Sequence, residues 1–108
     1  MQRDSNPAIE TATQAAPPSP QPPINQPVTM RTLAKWARQG EKFACLTCYD
    51  ATTAKWLQRA GVPVLLIGDT AAEMILGHDS TVHAPLDFML QLTAAVKRGA
   101  PNTFVMGD

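Results

Sequence analysis

The chain has 108 residues, with nine Lys and Arg set against nine Asp and Glu. Zero formal net charge argues against a nucleic-acid or anionic-membrane partner, because both need a basic surface. No apolar run approaches the roughly 20 residues of a membrane span, and the N-terminus lacks a basic stretch followed by an apolar one. A cytoplasmic location is the expectation.

Seven of the ten prolines fall in the first 27 residues, which contain no aromatic side chain. Residues 15–27 read AAPPSPQPPINQP. Such a stretch has little apolar surface to offset its ordering entropy. Residues 1–28 are therefore expected to form a disordered, partly polyproline tail, and residues 29–108 the folded part. A docking role for the tail toward a proline-binding domain is the less favoured alternative.

Thr29 is a candidate N-cap, followed by Leu33, Trp36 and Ala37 at helical spacing and stopped by Gly40. Residues 43–49, FACLTCY, are apolar and too short for a buried helix, so they read as a strand. Asp50 caps a helix over residues 51–60, with Ala54 and Leu57 inward and Gly61 ending it. Residues 62–67, VPVLLI, are continuously apolar, as in a parallel strand buried on both faces. A polar loop follows Gly68, running through Gly77, His78, Asp79, Ser80 and Thr81. Pro85 opens a further helix whose buried stripe is Phe88, Leu92, Ala95 and Val96; Lys97 and Arg98 suit its end, and Gly99 stops it. Residues 103–106 begin another strand.

The order is helix, then β-α-β-α-β. This spacing predicts parallel strands with right-handed crossovers. Three parallel strands fall short of an eight-unit barrel, which takes roughly 250 residues, and of a doubly wound sheet. The expectation is part of a larger α/β protein.

Asp69 and Asp108 are the most informative residues. Each follows an apolar strand and a glycine, in IGD and MGD. The C-terminal strand ends form the active-site face of parallel α/β folds, and neighbouring strands lie ~4.8 Å apart. Carboxylates at the same level of adjacent strands could converge on one cation, and oxygen donors suit Mg²⁺ better than Zn²⁺. The alternative is that both merely cap loops or helices. Cys45 and Cys48 form C-x-x-C, but the motif lies within a strand, where positions three apart face opposite sides; burial as small apolar residues is favoured over redox chemistry. His78, Asp79 and His83 share one loop, and ordering hydrogen bonds are favoured over metal or acid–base roles. Glu73 is expected to be structural, and Trp36 and Trp56 to pack.

The runs FACLTCYD at 43–50, LIGDT at 66–70, GHDST at 77–81, TAAVKRGAPN at 93–102 and VMGD at 105–108 together resemble ketopantoate hydroxymethyltransferases in order and spacing. The resemblance covers about residues 30–108. It implies the N-terminal part of a (β/α)₈ TIM barrel with one helix plugging its bottom. It implies transfer of a hydroxymethyl group from 5,10-methylenetetrahydrofolate to 3-methyl-2-oxobutanoate, giving ketopantoate in pantothenate synthesis. The family's two Mg²⁺-linked aspartates fall on Asp69 and Asp108, and its substrate-contacting hydroxyl on Thr70, where serine is usual. All three are the expected substrate-binding residues. The family's general base falls beyond residue 108, so no catalytic residue is expected within the chain, which alone should be inactive. A homo-oligomer is expected at full length. The alternative enzyme reading is a Mg²⁺-dependent 2-oxo-acid lyase or mutase resembling isocitrate lyase or phosphoenolpyruvate mutase; a non-catalytic truncated fragment is the other alternative.

Overall fold

The computed structural model describes residues 21–108. Helix α1 spans Met30–Arg38, strand β1 Cys45–Thr47, helix α2 Ala51–Arg59 and strand β2 Val64–Ile67. A one-turn helix α3, Ala71–Met74, and a 3₁₀ turn, Thr81–His83, precede helix α4, Leu86–Gly99, and strand β3, Phe104–Gly107. The three strands form one parallel sheet in the order β1-β2-β3. This is the expected α/β alternation.

The helix ends follow from local chemistry. Thr29 and Thr32 form a reciprocal capping box at the start of α1. Asp50 accepts a 2.7 Å hydrogen bond from the Thr53 N–H and caps α2. That bond holds the Asp50 carboxyl below its ordinary pKa. Gly40 and Gly61 follow α1 and α2 with φ of 69° and 84°, the left-handed region that glycine enters without a Cβ penalty.

Strand β2 is the centre of the core. Leu65 and Ile67 are fully buried and pack with Cys48, Ala54, Val96 and Ala100. Helices α2 and α4 thus cover the Leu65 and Ile67 face. They approach each other closely at Gly99, where a Cβ would collide with the Ala51 carbonyl oxygen. Strand β1 is shorter than expected, because only Cys45, Leu46 and Thr47 find register partners, in Val64, Leu65 and Leu66.

Two expectations about burial need correction, and one holds. Cys45 is exposed, since β1 lies at the sheet edge. Trp56 is 59% exposed, its ring covered by the Arg59 guanidinium at 5.1 Å. Trp36 does pack, tilted against Phe43 with ring centroids 5.6 Å apart, yet α1 contains no fully buried residue. The loop after β2 also holds α3 and the 3₁₀ turn, which sequence periodicity does not signal.

The expected disordered tail, residues 1–28, lies outside the described residues up to residue 20. Residues 21–28 are instead docked. The Ile24 N–H donates to the Gln58 carbonyl at 3.0 Å, and the Val28 N–H donates to the Asn102 carbonyl at 2.8 Å. Val28 is buried. The prolines have no N–H to give, but the residues between them do, and those donors tie the segment to α2 and to the turn before β3. A Cβ at Gly61 would lie 2.6 Å from the Gln21 Cβ and the Pro22 oxygen, so the close approach needs glycine.

Gln58 joins these pieces. Its Oε1 accepts from the Asn102 N–H at 2.8 Å and from the fully buried Thr103 hydroxyl at 3.4 Å. Gln58→Ala should cost about 1–3 kcal/mol, since it leaves partly buried donors unmatched. Gln58→Glu keeps an acceptor oxygen and should lose less. Denaturant titration of the two variants in the same background measures the difference, and equal losses would show that the acceptor is unimportant.

Candidate active-site edge

The parallel ladder brings the C-terminal ends of the strands to one edge. β2 pairs with β3 from Val64↔Phe104 to Ile67↔Gly107. The Asp108 N–H then donates to the Ile67 carbonyl at 2.9 Å. Asp108 is therefore level with Gly68, and Asp69 lies one residue further along. The expectation that the two carboxylates stand at the same level is corrected by this offset. β2 does not continue through it: the chain turns at once, with the Ala71 N–H donating to Gly68 O and the Ala72 N–H to Asp69 O. Asp69 thus sits at the start of a turn rather than on an extended ladder. Both aspartates and Thr70 are exposed at this edge.

Thr70 begins α3 with helical φ and ψ of −54° and −19°, and its side chain makes no capping hydrogen bond. Its hydroxyl is thus left for another partner. Beside Asp108, a small cavity of about 180 Å³ opens between the β2 and β3 ends and α4, lined by Leu86, Met89, Leu90 and Thr93. The Thr93 hydroxyl donates to the Met89 carbonyl at 2.8 Å. A larger concavity of about 840 Å³ lies at the opposite end of the sheet, between residues 21–28, Trp36 and Phe43. Its lining carries a single acid, Glu41.

The donor set fits a hard cation. Two carboxylates and a hydroxyl offer oxygen only, and Mg²⁺ takes one or two carboxylates while keeping several waters. Among the described residues no three His, Cys, Asp or Glu side chains converge on a point, which is the arrangement a protein-enclosed Zn²⁺ needs. No helix among the described residues is long and apolar enough to cross a membrane.

A family model described as "Ketopantoate hydroxymethyltransferase" matches residues 27–108. The chain belongs to the ketopantoate hydroxymethyltransferase family. The 3-methyl-2-oxobutanoate hydroxymethyltransferase of Frankia casuarinae is 44% identical over 104 residues, covering 95% of this chain and 35% of the relative. That of Shouchella clausii is 50% identical over 80 residues, covering 74% of this chain and 29% of the relative. That of Thermobifida fusca is 46% identical over 84 residues, covering 78% and 30%. The chain spans about a third of the length of these relatives. Within the ketopantoate hydroxymethyltransferase match fall Asp69, Thr70 and Asp108, and also the docked Pro27 and Val28.

The C-x-x-C pair is not brought together as a redox couple. Both cysteines are free; Cys45 is exposed and Cys48 buried. Burial pushes the Cys48 thiol above its ordinary pKa, and the nearby Asp50 charge adds to this, while hydrogen bonding opposes it. The Cys48 thiol donates weakly to the Asp50 carbonyl at 3.4 Å. The thiolate is the reactive form, so both access and protonation protect Cys48. A thiol reagent at neutral pH should label Cys45 rapidly and Cys48 only after unfolding. Mass mapping of labelled peptides checks this, and equal labelling rates would contradict the buried placement.

Proposed function

We propose that this chain supplies the substrate-binding edge of an enzyme that transfers a hydroxymethyl group from 5,10-methylenetetrahydrofolate to 3-methyl-2-oxobutanoate, giving ketopantoate for pantothenate synthesis. The observation that carries the reading is the family match, joined to the placement of Asp69 and Asp108 at one edge of neighbouring parallel strands. The relatives' names specify the hydroxymethyl transfer and the oxo acid; the folate donor and Mg²⁺ follow from the resemblance in sequence.

In this reading, the chain is the first part of a (β/α)₈ barrel. The sheet supports it: α2 and α4 cover the Leu65 and Ile67 face, whereas the register pair Leu66 and Met106 forms a half-open face, as a barrel interior requires. Asp69 and Asp108 would hold Mg²⁺, which would supply Lewis-acid polarisation of the oxo acid's keto oxygen. The chain's own residues hold and orient. The Asp108 backbone is fixed by its bond to Ile67 and the Asp69 backbone by the turn into α3. The uncommitted Thr70 hydroxyl is directed at the substrate carboxylate, where it donates a hydrogen bond. The C3 proton of the oxo acid goes to a general base outside residues 1–108, and C3 bonds to the one-carbon unit. The unit's two bonds to folate nitrogen break, water supplies the hydroxyl oxygen, and the two folate nitrogens take up the C3 proton and one proton of that water. We further propose a cytoplasmic homo-oligomer for the complete enzyme. The family match favours this reaction over an oxo-acid lyase or mutase.

In the complete enzyme, Asp69→Asn and Asp108→Asn should each weaken Mg²⁺ binding by about tenfold or more, the loss of about 1.4 kcal/mol. Calorimetric titration with Mg²⁺ reads this directly. Wild-type affinity in either variant would move the metal away from this edge.

Thr70→Val keeps the side-chain shape and removes the hydroxyl. It should raise KM for the oxo acid by roughly tenfold to over a hundredfold, the worth of about 1.5–3 kcal/mol for a hydrogen bond to a charged group. Thr70→Ser should stay near wild type. Unchanged oxo-acid kinetics in Thr70→Val would show that this hydroxyl does not contact substrate.

A further inference from the structure

Asp69, Thr70 and Asp108 leave one polar cluster without a role. His78, Asp79 and His83 lie on the excursion that links β2 to α4. Their rings and carboxylate come together: the His78 and His83 ring centroids are 5.3 Å apart with planes tilted by 41°. The Asp79 Oδ1 lies 3.9 Å from the His83 Nε2.

We propose that His78 and His83 form a two-imidazole site for a borderline divalent metal of the zinc, copper or nickel type, separate from the carboxylate edge. The ring spacing fits. With Zn–N bonds of ~2.0–2.1 Å in tetrahedral array, two imidazoles on one ion have centres roughly 5 Å apart. The backbone beneath each ring is already fixed. The His78 N–H donates to the Ala72 carbonyl at 3.0 Å, and the Gly77 N–H to the Glu73 carbonyl at 3.1 Å. Gly77 turns with φ of 75°. On the other side, the Ser80 hydroxyl accepts from the Val82 N–H at 3.3 Å and caps the 3₁₀ turn that ends at His83. Both ligands therefore stand on short hydrogen-bonded turns, which lowers the ordering cost of bringing them to one ion.

The histidines carry the site. Among the described residues no three such side chains converge as they stand, so water would fill the remaining positions on the ion. The Asp79 side chain is 95% exposed and has room to swing in as a third, anionic ligand. Imidazole nitrogen favours copper, nickel and zinc, whereas Mg²⁺ prefers oxygen, so the two sites divide by donor type. A metal here would clip the excursion whose first residue after Asp69 is Thr70.

Cys45 is an exposed thiol and a competing soft ligand, so the experiment starts from Cys45→Ser. Zn²⁺ is titrated by calorimetry in the presence of excess Mg²⁺, and Cu²⁺ is added separately for electron paramagnetic resonance. The expected result is one bound Zn²⁺, unaffected by Mg²⁺, with His78→Ala and His83→Ala each weakening it by about tenfold or more. The Cu²⁺ spectrum should show coupling to two imidazole nitrogens. Unchanged Zn²⁺ affinity in either single variant overturns the proposal, as does coupling to one nitrogen only. Circular dichroism checks that the variants keep their helices, and the Cu²⁺ spectrum needs no histidine variant. Asp69→Asn should leave this binding intact, so the proposal stands or falls independently of the hydroxymethyltransferase site.

Discussion

The pairing of β2 on both edges is the constraint on which the rest depends. A strand hydrogen-bonded to parallel partners on each side offers no edge to water. Its side chains must then find cover on its faces, and Leu65 and Ile67 do so completely. Because both partners are parallel, every chain leaves the sheet at the same edge. That is why the segments after Ile67 and Gly107 emerge side by side, bringing Asp69 and Asp108 into one region although 39 positions separate them in the chain, as 108 − 69 shows.

The two ends of the sheet are held differently. At the N-terminal ends of the strands, Gln58 links α2, the docked segment of residues 21–28 and the turn into β3 through backbone and side-chain bonds. Lys97 adds a 2.9 Å bond from its Nζ to the Thr103 carbonyl. The close contact of Gly99 with Ala51 fixes the spacing of α2 and α4 over the core. At the C-terminal ends the ladder continues through the Asp108 N–H bond to the Ile67 carbonyl, but the side chains of Asp69, Thr70 and Asp108 are exposed. Chemically available groups thus gather at this end, the face that carries the active site in parallel barrels.

Helix boundaries were legible because they are local. Thr29, Asp50, Gly40 and Gly61 act within a few residues of themselves, through side-chain caps and left-handed backbone. β2 was legible from its unbroken apolar run, of which Val64, Leu65 and Ile67 are buried and Leu66 half-buried. The docking of residues 21–28 was not, because proline content reports the missing donors and not the Ile24 and Val28 N–H groups that make the bonds. The one-residue offset of Asp69 from Asp108 was also hidden. Strand ends can be located from apolar runs, but register depends on partners far away in sequence. Trp56 failed for a related reason: its helix buries Ala54 and half-buries Leu57, and the outward face has an aromatic ring stabilised by Arg59 instead of a core.

The excursion from Gly68 to Pro85 places two kinds of donor on one folded unit. At its start, Asp69 and Thr70 present oxygen; further along, His78 and His83 present nitrogen. Oxygen donors hold hard, hydrated cations and leave water in place, while imidazoles hold more polarizable ones. The unit is internally bonded: α3 links to His78 through Ala72 O, and Gly77 to Glu73 O. Motion at one donor set is therefore resisted by bonds that also position the other. Thr70 stands at the junction. Its backbone carbonyl accepts from Glu73 and Met74, so it belongs to α3, while its hydroxyl is not consumed by capping. A side chain whose main chain is committed to structure and whose hydroxyl is not can be aimed by the turn that carries it, and the methyl group of threonine narrows that aim by restricting χ1.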